Sequence, residues 1–327
     1  MLSPKQVSEI NPIFDNVMPN CLALKAAEVL KSASAVCFPR RTIPYPLVCG
    51  SIAVPVLESL ARNRGEHYAP PGRLASMNRL WTFDKLTPSL RDFKAGRASH
   101  AAVEQIYHHE YGVWRRDTLA EKFTALAEDL TWNTDHALGL IGRFCLVGAI
   151  LRNALQSGKL TSLCSIACGS GEAVIDALRQ ARTPVAAAFI DTNPEALKIS
   201  EQRASGLGNT HFFQMNAVRN QRFFRDLPFE ALEFTGLIDY LPDAMLVNFL
   251  RALKQERLKL LLASNILRKA GPLARLERAF LYHALQWNMI YRTHAELSGI
   301  FAQAGFSGVR FMDEPYGLFT VIVWCKE

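Results

Sequence analysis

From Gly158 onward the chain alternates short apolar runs with helical ones, and this alternation constrains its fold more than any other feature. Ser162 to Cys168, Val185 to Asp191, Thr210 to Met215, Glu233 to Ile238 and Leu258 to Ser264 read as strands. Gly308 to Met312 and Leu318 to Trp324 add two more. Helical spacing of apolar residues recurs between them, over Gly171 to Arg182, Pro194 to Ser205, Asp243 to Lys254, Leu276 to Trp287 and His294 to Ala304. Strands alternating with helices pair in parallel, because each helix carries the chain back to the same end of the sheet and covers one face. Only a short stretch containing Tyr316-Gly317 joins the last two strands, so they are expected to form a hairpin and to bring antiparallel pairing to one edge.

The first half reads differently. Residues 1–157 show helical periodicity interrupted at Pro39, Pro44, Pro46, Pro70-Pro71-Gly72, Gly96 and Gly112, with little strand-like alternation. The expected organisation is a mainly helical N-terminal extension or lid over 1–157, followed by an α/β domain over 158–327. Tyr45, Tyr68, Trp81, Tyr107, Tyr111, Trp114 and Trp132 supply the extension with aromatic side chains. Core packing is the ordinary use of each, since buried rings mostly contribute apolar area.

Charge and cysteine usage narrow the partners. A net charge of +7 spread without a dense basic block gives no support to a nucleic-acid partner. Seven cysteines at 21, 37, 49, 145, 164, 168 and 325, with no CxxC pair, predict reduced and largely buried thiols. The start of the chain lacks the pattern of a secretory signal, and the apolar stretch Ala137 to Leu151 is short for a membrane span. A cytoplasmic location with no membrane contact follows as an expectation. His67 and His108-His109-Glu110 lack a convincing partner set, so no metal is expected.

Chemistry concentrates where the first strand ends. In Leu163-Cys164-Ser165-Ile166-Ala167-Cys168-Gly169-Ser170-Gly171-Glu172 an apolar strand runs into a turn of small residues and then a helix. Small residues let a ligand approach the backbone, and a helix N-terminus presents free N–H groups. Such a turn alone suits flavin and nucleotide-sugar enzymes as well. Asp191 ends the next strand, twenty residues beyond Gly171, where a carboxylate can accept hydrogen bonds from both ribose hydroxyls or help start the following helix. Asn216-Ala217 follows the third strand, offering an amide to an adenine amino group and a backbone surface to the ring. Asp239 and Tyr240 are placed at the end of the fourth strand, where an open sheet forms its ligand crevice; a buried strand end with a capping carboxylate would use them equally well.

The series Ala167-Cys168-Gly169-Ser170-Gly171, Asp191 and Asn216-Ala217 resembles the cofactor-binding motifs of class I S-adenosylmethionine-dependent methyltransferases, over roughly Leu160 to the C-terminus. The resemblance implies a Rossmann-like sheet whose last strand inserts antiparallel. It also implies S-adenosylmethionine as co-substrate, held by Ala167, Cys168, Gly169, Gly171, Asp191, Asn216 and Ala217, with Asp239 and Tyr240 as candidate catalytic residues. Ser165 stands where many members carry an acidic residue, and Ala167 where they carry a first glycine. Gly236-Leu237-Ile238-Asp239-Tyr240-Leu241, the stretch Trp287 to Leu297, Asp313-Glu314-Pro315 and Gly317 resemble a bacterial subgroup associated with hydroxypalmitate methyl ester biosynthesis.

Two reactions fit such a ligand. One transfers its methyl group to a small metabolite by in-line displacement. The other attacks the γ-carbon of its aminobutyrate arm and releases methylthioadenosine, giving azetidine-2-carboxylate by cyclisation or an aminocarboxypropyl adduct. A non-catalytic binding module is the third expectation, which the retention of Gly169, Gly171 and Asp191 speaks against.

Overall fold

The computed structural model of the chain describes residues 100–107, 118, 121–122, 134–227, 229–269, 271, 278, 281 and 287–326. Its elements run α1 (His100–Tyr107), α2 (Asp135–Gln156), β1 (Ser162–Ile166), α3 (Glu172–Arg179), β2 (Ala186–Asp191), α4 (Pro194–Arg203) and β3 (Thr210–Gln214). After these come α5 (Arg222–Asp226), β4 (Ala231–Thr235), α6 (Asp243–Leu253), β5 (Leu260–Ile266), α7 (His294–Gln303), β6 (Arg310–Asp313) and β7 (Phe319–Cys325).

Seven strands form one sheet in the order β3-β2-β1-β4-β5-β7-β6. The first five are parallel; β7 runs antiparallel between β5 and β6. This is the mostly parallel α/β sheet that the alternation predicts, and the hairpin lies at the edge expected for it. Every position of β5 is buried, as a strand covered on both faces requires.

Local chemistry explains where the helices begin. Asn193 caps α4 by accepting from the Glu195 N–H, and Pro194 opens the helix, where a missing N–H costs nothing. Thr293 and Glu296 close a reciprocal capping box on α7. Two apolar layers sandwich the sheet. On one face α2 and α3 bury Leu146, Ile150, Leu155, Val174 and Ile175 against Leu163, Phe189 and Val321. On the other, α6 and α7 bury Leu246, Phe249 and Phe301 against Ile166, Phe234 and Ile322.

Several expectations shift. The fourth strand ends at Thr235, and Ile238–Tyr240 forms a 3₁₀ turn instead of continuing it. Gly236, at φ +86°, breaks the strand there. The apolar stretch at Ala137 extends into the 22-residue helix α2, so it is not too short to cross a membrane. By length and composition His136–Gln156 would pass as a span, but 72% of that window is buried inside the protein. Cys145 is disulfide-bonded, against the expectation of seven reduced thiols, whereas Cys164 and Cys168 are free thiols. The helix expected over Leu276 to Trp287 lies largely outside the described residues, as do all the N-terminal aromatics named above except Tyr107.

Candidate functional site

Strand order places the site. From β1 the chain steps outward to β2 and β3 on one side, then crosses to β4 and β5 on the other. Crossover helices on opposite faces leave a crevice at the carboxyl ends of β1 and β4, the point where open α/β sheets hold ligands.

At the end of β1 the turn is built on left-handed backbone: Ala167 has φ +53°, Gly169 +56° and Gly171 +67°. An Ala in this region carries a steric penalty of roughly 1–2 kcal/mol, which the surrounding structure must offset. Cys168 N–H donates to the Ile190 carbonyl at 3.1 Å, tying the turn to β2. Gly171 ends it under tight constraint, because a Cβ there would lie 3.1 Å from the Phe189 ring. Gly171 at the start of α3 gives its first N–H groups no side-chain cap.

Asp191 joins the two strand ends. One carboxylate oxygen accepts from Gly169 N–H at 2.9 Å and the other from Asn193 N–H at 2.9 Å. The helix cap itself is Asn193, so Asp191 holds the turn leading into α4 instead of capping it. Each carboxylate oxygen retains a second lone pair, which leaves room for the ribose role expected of it. Met215 N–H bonds to the Asp191 carbonyl and brings the Asn216-Ala217 turn alongside. Asn216 is exposed, and its amide oxygen accepts from Arg219 N–H at 3.0 Å, a turn-holding role beside the expected adenine contact. Cys168 stays a neutral thiol, because burial and then the Asp191 charge raise its pKa.

Across the crevice, Asp239 and Tyr240 part company. Asp239 faces inward, 1% exposed, accepting from Ile266 N–H at 2.7 Å and lying 3.8 Å from the Arg143 guanidinium. Burial lifts its pKa to about 6 even though Arg143 pulls the other way. Tyr240 faces outward, and its hydroxyl accepts from Trp287 Nε1 at 2.6 Å. Burial of that hydroxyl, followed by the Asp239 charge, pushes its pKa up to about 12, so Tyr240 keeps its proton at neutral pH and acts there as a donor. Arg143 is buried over the Phe319 ring; burial works against its charge, but Tyr107, Asp239 and Tyr240 hold its pKa above the usual value.

His136 and Glu233 carry no signal in the sequence, and Arg292 reads there only as part of the Trp287 to Leu297 stretch that leads into the last helix. His136 is buried between Trp287 and Phe319, neither ring nitrogen is hydrogen-bonded among the described residues, and burial followed by Arg143 lowers its pKa to about 3. Glu233 on β4 is 4% exposed and bonds to Ser165 and Thr235. Arg292 is 1% exposed and reaches Asp243, Asn265 and the Ile238 and Leu241 carbonyls. It stitches the 3₁₀ turn to β5, so Arg292 and Asn265 support the site from behind. Glu314 is likewise structural: its carboxylate gathers Tyr316, Leu318 and Phe319 N–H groups and closes the β6–β7 turn. Among the described residues no group of three His, Cys, Asp or Glu side chains is arranged to hold a metal ion.

Comparison with known proteins gives the fold and no more. No family model matches the chain, and no curated protein does. Among solved structures, a possible exported protein from Bordetella parapertussis superposes with a TM-score of 0.54 at 18% identity, covering 100% of this chain and 99% of its own. An O-methyltransferase family protein from Burkholderia thailandensis gives 0.47 at 12% identity, covering 62% of this chain and 60% of its own. Magnesium protoporphyrin IX methyltransferase from Synechocystis with bound S-adenosylhomocysteine gives 0.45 at 12%, covering 69% of this chain and 99% of its own. At scores below 0.5 the last two carry no weight for this chain.

Proposed function

We propose that the chain binds S-adenosylmethionine along the carboxyl ends of β1, β2 and β3 and catalyses transfer of its methyl group to a small molecule. One observation carries the reading: Gly169 N–H bonds to the Asp191 carboxylate, fusing a left-handed glycine turn and an acidic strand tip into one surface beside the switch in strand order. An adenosine lying there would meet a carboxylate with free lone pairs for its ribose, the Asn216-Ala217 turn for its base, and the uncapped start of α3.

When bound, the sulfonium supplies an activated methyl group that any aligned nucleophile can take. The protein's work is then mainly orientation, a contribution on the order of 7–11 kcal/mol in well-aligned systems. On the acceptor side of the crevice we place Tyr240 as a hydrogen-bond donor, with Trp287 bonded to its hydroxyl as an apolar wall and His136 packed uncharged behind Trp287. A base is needed only for an acceptor that holds its proton tightly, and His136, whose protonation burial and Arg143 oppose, is not suited to that role. Such a displacement requires no metal.

A second reading keeps the ligand and changes the bond. Attack by the ligand's own neutral amine on its γ-carbon forms azetidine-2-carboxylate and expels methylthioadenosine. Tyr107 and Tyr240 stand beside Arg143 and Trp287 bonds to Tyr240; an aromatic cluster of this kind over the methionine arm would favour it, since ring closure needs competing nucleophiles kept out. Incubating the purified protein with S-adenosylmethionine alone, then with candidate acceptors, decides between them by the nucleoside formed. S-adenosylhomocysteine appearing only with an acceptor is the expected outcome. Methylthioadenosine formed without one would overturn methyl transfer in favour of the second reading.

A further inference from the structure

The strand register sets Ser165 of β1 directly opposite Glu233 of β4, across the junction where the strand order reverses. Ser165 Oγ donates to one Glu233 oxygen at 2.5 Å, and Thr235 donates to the other through its N–H at 2.8 Å and through its hydroxyl. The Ser165-side oxygen therefore keeps an open acceptor position. Glu233 is 4% exposed, yet among the described residues it makes no ion pair. Its charge is felt on one side by Cys168 in the glycine turn, and on the other it feels Arg143 of the Asp239 cluster. The carboxylate thus lies between the two halves of the crevice. A buried carboxylate with no cation in contact among the described residues is costly to keep, and burial raises its pKa in spite of three donors and the Arg143 charge.

We propose that Glu233 is the counter-ion for a primary ammonium group on the bound ligand. In S-adenosylmethionine that group is the α-ammonium of the methionine arm. The proposal rests on the cofactor reading above and assigns to β4 the negative charge that Ser165 leaves missing from β1. Serine has a second part in it: the hydroxyl holds the Glu233 carboxylate at the junction, so the charge lies one strand over from its expected place. Glu233 is then a binding residue for the amino-acid end of the ligand, and Ser165 and Thr235 are positioning residues.

The test is calorimetric titration of the full chain with two probes: S-adenosylhomocysteine, which has the ammonium, and methylthioadenosine, which lacks the whole amino-acid arm. Glu233→Gln preserves shape, and its amide can still bond to Ser165 and Thr235. It is expected to weaken S-adenosylhomocysteine about thirtyfold or more while changing methylthioadenosine less than twofold. If Glu233→Gln fails to fold, Glu233→Asp keeps the charge but withdraws it by one methylene, and is expected to weaken the first probe alone. Equal weakening of both probes would mark Glu233 as structural and overturn the proposal, as would unchanged binding of S-adenosylhomocysteine. Wild-type protein binding neither probe would instead overturn the cofactor reading, and this proposal with it.

Discussion

The two sides of the crevice are made by different means. The β1–β2–β3 side is built from backbone: left-handed residues at Ala167, Gly169 and Gly171, N–H groups bonded to Asp191, and short turns. The β4–β5 side is built from buried charge: Arg143 against Asp239, Arg292 into a ring of carbonyls, and Glu233 on two hydroxyls. Backbone sites bind whatever shape fits and cost little to keep empty. Buried charges hold geometry strictly and are destabilising whenever a partner is missing.

That contrast can be broken by substitution. The largest effect is expected at Arg292→Met, which orphans the Ile238 and Leu241 carbonyls and the Asn265 amide oxygen. A loss of about 3–5 kcal/mol in urea unfolding is expected. A loss under about 1 kcal/mol would mean that the 3₁₀ turn does not depend on this guanidinium.

Acid provides a sharper probe of the same side. Unfolded His136 protonates near 6.5 but folded His136 only near 3, so its contribution to stability is complete above pH 6.5 and falls away as pH drops toward 3. Between pH 7 and 5 that loss is about 2 kcal/mol. Asp239 runs the opposite way: its folded pKa of about 6 exceeds 3.8, and protonation over the same interval returns about 1 kcal/mol. His136→Phe is therefore expected to lift stability at pH 5, relative to pH 7, by about 2 kcal/mol over wild type. An unchanged pH slope would show that the folded protein pays no penalty for charging this ring.

On the backbone side the expected effect is smaller. Gly171→Ala adds a Cβ at φ +67° and 3.1 Å from Phe189, and roughly 1–2 kcal/mol of stability should be lost. A neutral result would mean that the turn relaxes freely and cannot be the rigid ligand surface argued above.

The same contrast explains what could be read from the sequence. The turn at Gly169 and Gly171, the strand tip Asp191 and the turn at Asn216 could be picked out because each stands at or just beyond the end of an apolar run, where spacing along the chain reports position along the sheet edge. The antiparallel β7 was legible from the short turn at Tyr316-Gly317. Glu233 was hidden inside an apolar run, and only the register with Ser165 gives it meaning. Arg292 lies 49 residues beyond its ion-pair partner Asp243 and looks like an ordinary basic residue before a helix. His136 begins an apolar helix, where nothing in the neighbouring letters signals that both nitrogens lack partners among the described residues. Asp239 was expected at the end of the fourth strand, which stops at Thr235 instead; its burial within the 3₁₀ turn, with Ile266 as partner, depends on contacts 27 residues away.

The central claim is that the turn and Asp191 together form the adenosine surface. Calorimetric titration of S-adenosylmethionine into wild-type protein and Asp191→Ala tests it most directly. The account predicts saturable one-to-one binding to wild type and at least about tenfold weaker binding to the variant, the loss of a charge-assisted pair of ribose hydrogen bonds. Equal affinity for both proteins, or no binding to wild type, would contradict it.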